Sequence, residues 1–141
     1  MAPTISVSSI RRVAALLGAL GLLIPIGVIW SDRFMAMGSA QTISVREAWS
    51  AGLIQGFFIL NLVLALAAVG VWLLRSWARW LALAWFPLLA ANNIATELWH
   101  THSVQPDSWF QATVLSVLWV GSLYRFLAGQ QAAVIFHGAK V

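Results

Sequence analysis

The sequence predicts an all-α integral membrane protein, one domain of four spanning helices running up-down-up-down with both termini cytoplasmic. Four apolar stretches, roughly 13–30, 51–74, 80–99 and 109–128, each approach the ~20 residues a helix needs to cross the hydrocarbon core. Hydrophobic residues make up 61% of the 141 positions and charged ones 9%, more apolar surface than a soluble core of this size could hide. All four acidic side chains fall at one predicted end of the stretches and six of the eight basic ones at the other.

Arg11 and Arg12 precede the first span, Arg75 and Arg79 flank the turn after the second, and Arg125 and Lys140 lie at or beyond the end of the fourth. Asp32, Arg33, Arg46, Glu47, Glu97 and Asp107 fall at the other end. Positively charged loops resist translocation, so the first group is placed in the cytoplasm, where Arg11, Arg12, Arg75, Arg79 and Arg125 can meet lipid phosphates. The net charge of +4 comes from scattered residues and forms no basic stripe, which argues against nucleic acid as a partner. The absence of cysteine removes disulfides, thiolate metal sites and a cysteine nucleophile together. Trp30, Trp49, Trp99 and Trp109 mark one headgroup level and Trp72, Trp77 and Trp80 the other, leaving Trp85 and Trp119 deeper, in packing or lipid contact.

In span one, Gly18 and Gly21 offer a close-packing face and Pro25 interrupts a backbone hydrogen bond. Arg11-Arg12, the apolar run and Gly38-Ser39-Ala40 are ordered like a signal peptide, but the run is too long and the cleavage point too distant. Phe34, Met35 and Met37 are expected to dip into the headgroup region. Ser44 and Glu47 have capping-box spacing, which starts a helix expected to continue to about Arg75. Gly52 and Gly56 form a GxxxG packing pair on it, and Asn61 falls near mid-membrane, where burial is expected. Arg75–Arg79 leaves room only for a tight hairpin. The surrounding phrase, Leu73 to Ala82, resembles hairpins of small four-span bacterial inner-membrane proteins, which implies that location. Ser108 and Gln111 repeat the capping-box spacing ahead of span four. Ala132 to Phe136 are expected against the inner leaflet.

Chemistry has one place to gather, the outer end of span three. Asn93, Glu97 and His100 share a helical face at i, i+4 and i+7, and an ionisable residue in a span is a functional hypothesis, here a proton or cation site. Glu97 and His100 also read as E-x-x-H, half of a carboxylate-bridged metal motif, with His102 as a third ligand only if the helix ends beside it. No serine triad or phosphate-binding glycine loop is present, so neither catalysis nor a cofactor is expected. The expected role is structural: an accessory or partner-binding membrane protein in contact with lipid and with another membrane protein or itself. The alternative is a small oligomeric proton-coupled transporter or ion conduit using Glu97.

Overall fold

The computed structural model describes residues 5–34 and 42–138, apart from the side chains of His100 and Thr101. Among the described residues six helices follow in order: α1 (Val7–Ser31), α2 (Val45–Ser50), α3 (Gln55–Trp72), α4 (Ser76–Thr101), α5 (Pro106–Leu127) and α6 (Gln130–Gly138). Four of them, α1, α3, α4 and α5, are long and apolar enough to cross a membrane. Among the described residues, extended pairing is confined to an isolated bridge between Phe34 and Ile43.

The core is read from a repeat of threes and fours. Ile10, Ala14, Leu17 and Gly21 are buried on α1, Asn61, Leu64, Ala68 and Val71 on α3, and Ala78, Ala82, Trp85 and Leu89 on α4. That spacing averages 3.5 residues and keeps one narrow stripe of each helix against its neighbour. The stripes are mostly small residues, so the backbones approach closely. A Cβ on Gly21 would lie 2.9 Å from the Ala65 amide nitrogen and 3.0 Å from the Asn61 carbonyl oxygen, and one on Gly18 would lie 3.5 Å from the Ala68 Cβ. Gly18 and Gly21 thus face α3 at close range, and Asn61 is buried opposite Gly21.

Two tryptophans tie the helices laterally. The buried Trp85 donates its indole N–H to the Leu60 carbonyl of α3 at 2.8 Å, and Trp119 of α5 donates to the Ala82 carbonyl of α4 at 3.0 Å. Their rings meet at 4.9 Å between centroids, with Phe86 beside both. The other seven tryptophans are exposed, as are broad apolar faces of α1 and α5, surfaces suited to lipid and not to water.

Several expectations need correction. The capping box is real, with Glu47 N–H bound to Ser44 Oγ at 3.2 Å and Ser44 N–H bound to Glu47 Oε2 at 3.0 Å, but it starts only the short α2. Gly52, at φ +76°, ends that helix: its N–H reaches the Trp49 carbonyl and the Leu53 N–H reaches that of Ala48, a Schellman closure. Gly52 therefore stands in a turn and shares no helical face with Gly56. Helix α5 begins at Pro106, whose fixed φ and missing N–H suit the first helical position. Ser108 is consequently in the first turn and buried, and does not cap. Phe34 is buried against Phe57 and Ile54 instead of reaching headgroups. Met35, Met37, Gly38–Ala40 and Lys140 lie outside the described residues. Ala132 and Phe136 of α6 are buried in the main core, while Val134 between them is exposed.

The hairpin between α3 and α4 is tight, as its length requires. Leu74 takes the left-handed conformation at φ 56°, and the Arg75 N–H closes on the Gly70 carbonyl at 2.8 Å. Gly70 admits this turn because a Cβ there would come within 2.5 Å of Ala78.

Candidate functional site

The C-terminal part of α4 carries two polar stripes with different neighbours. The buried stripe Ala78-Ala82-Trp85-Leu89 continues to Asn92, whose amide fills the space beside Gly56 of α3; a Cβ on that glycine would meet Asn92 Oδ1 at 2.1 Å. Gly56 thus serves packing by admitting a polar side chain. Thr96 Oγ1, on the same stripe, donates to the Asn92 carbonyl at 2.8 Å. Sequence reasoning passed over Asn92 in favour of Asn93, although the three-four repeat already pointed to it.

The second stripe holds Asn93 and Glu97, both half-buried. Glu97 Oε1 accepts the backbone N–H of Gln105 at 2.9 Å, and Gln105 is the residue that caps α5. The N–H groups of a helix's first turn have no partner within the helix, and no side chain of Gln105 itself serves them. A carboxylate eight residues earlier in the chain therefore fixes the connection at α5's entry, and Asp107 adds a negative charge at the helix's positive end. His102 ends α4 in the left-handed conformation at φ 57° and is exposed. The His100 side chain lies outside the described residues, and among the described residues no three His, Asp or Glu converge as a metal site would require.

Two further features border this region. An open groove of about 530 Å³ runs between α4 and α5, lined by small residues including Ala91, Ala95, Ala112 and Ser116. On α3, Gln55 Nε2 donates to the Trp49 carbonyl at 2.8 Å and Asn61 Nδ2 to the Phe57 carbonyl at 2.8 Å, while Gln55 Oε1 and Asn61 Oδ1 are buried without a hydrogen-bond partner.

The basic end departs from the sequence reading at one residue. Arg11 stacks over Trp72 at 5.7 Å, and Arg12, Arg75 and Arg125 are exposed. Arg79 is 6% exposed, enclosed between the rings of Trp80 and Phe136. Phe136 of α6 covers its guanidinium, so it is enclosed where the sequence placed it open at the surface, because the sequence gives no sign that α6 folds back over α4.

Glu47, outside the four long apolar helices, has its pKa held below the ordinary value by the backbone and hydroxyl hydrogen bonds from Ser44. A lowered folded-state pKa makes the capping box most stable above the ordinary carboxylate range, with that stability lost as pH falls through the lowered value. A carbon-13 titration of Glu47 is expected to give a midpoint below that of Ser44→Ala, whose Glu47 should titrate near the ordinary value.

No family model, curated protein or solved structure matches this chain.

Proposed function

We propose that this is a four-span membrane protein with a structural, accessory or partner-binding role, and that Glu97 acts as a clasp instead of a proton carrier. The observation that carries this reading is the bond from the Gln105 amide to Glu97: the acid of α4 holds the connection between two helices. The wide apolar faces of α1 and α5 support contact with lipid and with another membrane helix. The helices run up-down-up-down with both termini in the cytoplasm of a bacterial inner membrane. That orientation is supported by Arg11, Arg12, Arg75, Arg79 and Arg125 gathering toward one end and all four acids toward the other.

Removing a carboxylate that serves a backbone amide is expected to cost about 1–3 kcal/mol in Glu97→Ala, and less than half as much in Glu97→Gln, which keeps an acceptor oxygen. Thermal unfolding in mild detergent measures both. Gentle solubilisation followed by native mass determination tests the partner role: a stoichiometric second protein supports it. A homo-oligomer whose proton flux disappears in Glu97→Gln would instead support the conduit reading, for which the unpartnered acceptors Gln55 Oε1 and Asn61 Oδ1 are the available polar groups.

A further inference from the structure

Among the described residues, Arg79 is a buried charge with no acidic side chain beside it. Its residue is 94% enclosed by its 6% exposure, and neither Nε nor Nη1 has a hydrogen-bond partner. A guanidinium presents five donors and no acceptor, and it stays charged in proteins. The faces of Trp80 at 5.1 Å and Phe136 at 5.5 Å offer cation–π attraction, which does not serve N–H donors in the ring plane. Breaking or omitting one half of a buried ion pair is strongly unfavourable, so a compensating anion is expected.

The chain cannot supply that anion from its side chains. It has four acidic residues, Asp32, Glu47, Glu97 and Asp107. Glu97 stands on the same helix 18 positions away, about 27 Å at 1.5 Å per residue, and is bound to Gln105 beside Asp107. Asp32 accepts the Val45 N–H at the start of α2, and Glu47 closes the capping box there. None of the four is in the first turn of α4.

That first turn is itself a place for an anion. Arg79 is the fourth residue of α4, and helical side chains lean toward the N-terminus, so its stem leaves the helix within the first turn, with the guanidinium between Trp80 and Phe136. The Arg75 N–H is bound to the Gly70 carbonyl and the Ala78 N–H to that of Arg75, whereas the N-cap side chain makes no capping bond to the Ser76 and Trp77 N–H groups between them. The exposed Arg75 adds a second positive charge at its rim.

We propose that Arg79 and the N-terminus of α4 form a phosphate-binding site, seated under α6 beside Phe136. The site takes a phosphate group, carried either by a membrane lipid headgroup or by a free phosphate. It needs only the membrane placement of the helices and is independent of the role of Glu97. Arg79 meets the phosphate as a rigid donor fork, for which a guanidinium is better suited than an ammonium. Filling the site ties α6 to α4 through the ligand, which gives the chain a reason to bury an arginine where a leucine would pack.

The test uses the full chain, delipidated in a non-ionic detergent, with melting temperature as readout. The probes are dioctanoyl phosphatidylglycerol, inorganic phosphate and dioctanoylglycerol as the phosphate-lacking lipid. Wild type is expected to gain about 4 °C or more with a phosphate-bearing probe and not with dioctanoylglycerol. Arg79→Met is expected to melt higher than wild type without probe, since an uncompensated charge is gone, and to lose the response. Arg12→Gln, which alters an exposed charge, should keep the response. A response to the lipid alone assigns the headgroup as source, and a response to both probes assigns free phosphate as a sufficient ligand. No wild-type response to either probe, or equal losses in Arg12→Gln and Arg79→Met, would overturn the proposal. If Arg79→Met does not fold, Arg79→Gln carries the same comparison.

Discussion

Trp85→Ala is expected to destabilise the protein by about 3–5 kcal/mol, the range for emptying the space of a large buried aromatic. Three contributions are lost together. The ring is 3% exposed within the main core, its indole N–H is bonded to the Leu60 carbonyl, and its face meets Trp119. Trp85→Phe retains most of the packing and removes the hydrogen bond, so it should cost about 1 kcal/mol. Because Trp119 stacks on Trp85 and bonds to Ala82, the double change with Trp119→Ala should be less than additive. Reversible unfolding of Trp85→Ala, Trp85→Phe, Trp119→Ala and the double variant in the same micelle measures this.

Gly21→Leu is the second large effect, and it acts by excess volume. The α3 backbone lies so near that a bare Cβ would stand 2.9 Å from the Ala65 nitrogen, and backbone cannot rotate away as a side chain can. Separating α1 from α3 to admit a leucine should cost about 3 kcal/mol, at the upper end for overpacking. Gly27 provides the comparison within the same helix, since nothing lies within 4 Å of a Cβ there. Gly27→Leu should leave unfolding unchanged or slightly improved, as leucine is the better helix former. Equal losses at the two positions would mean that α1 does not pack through Gly21.

The four long helices were legible because apolar length is a strong and nearly context-independent signal. Gly18, Gly21 and Asn61 were legible for a related reason: a small or polar residue inside an apolar run is costly unless a neighbour uses it. The failures occurred where local spacing competes with backbone conformation. Gly52 satisfied a helical packing pattern and a turn requirement equally well on paper, and its positive φ decided for the turn. Ser108 had capping-box spacing, but Pro106 two residues earlier fits the first position of a helix without loss of a hydrogen bond. Arg79 and Phe136 were misplaced because their burial depends on α6 returning to α4, a contact across more than fifty residues that no periodicity encodes.

At the candidate site, the Glu97 stripe was visible as helical spacing, whereas its partner was not. A carboxylate that binds a backbone amide leaves no residue-type signature at the receiving position, so Gln105 could be found only in three dimensions. Asn92 differs: its place on the buried repeat was available beforehand, and the adjacent Asn93 drew attention from it.

The most direct test of the clasp is amide hydrogen exchange across residues 102–108 in lipid nanodiscs, comparing wild type with Glu97→Gln and Glu97→Ala. The Gln105 amide is expected to be protected in wild type, partly protected in Glu97→Gln and open in Glu97→Ala, with the middle of α4 unchanged in all three. Identical exchange at Gln105 in the three proteins, together with a proton flux that wild type supports and Glu97→Gln abolishes, would contradict the structural reading and establish Glu97 as a proton carrier.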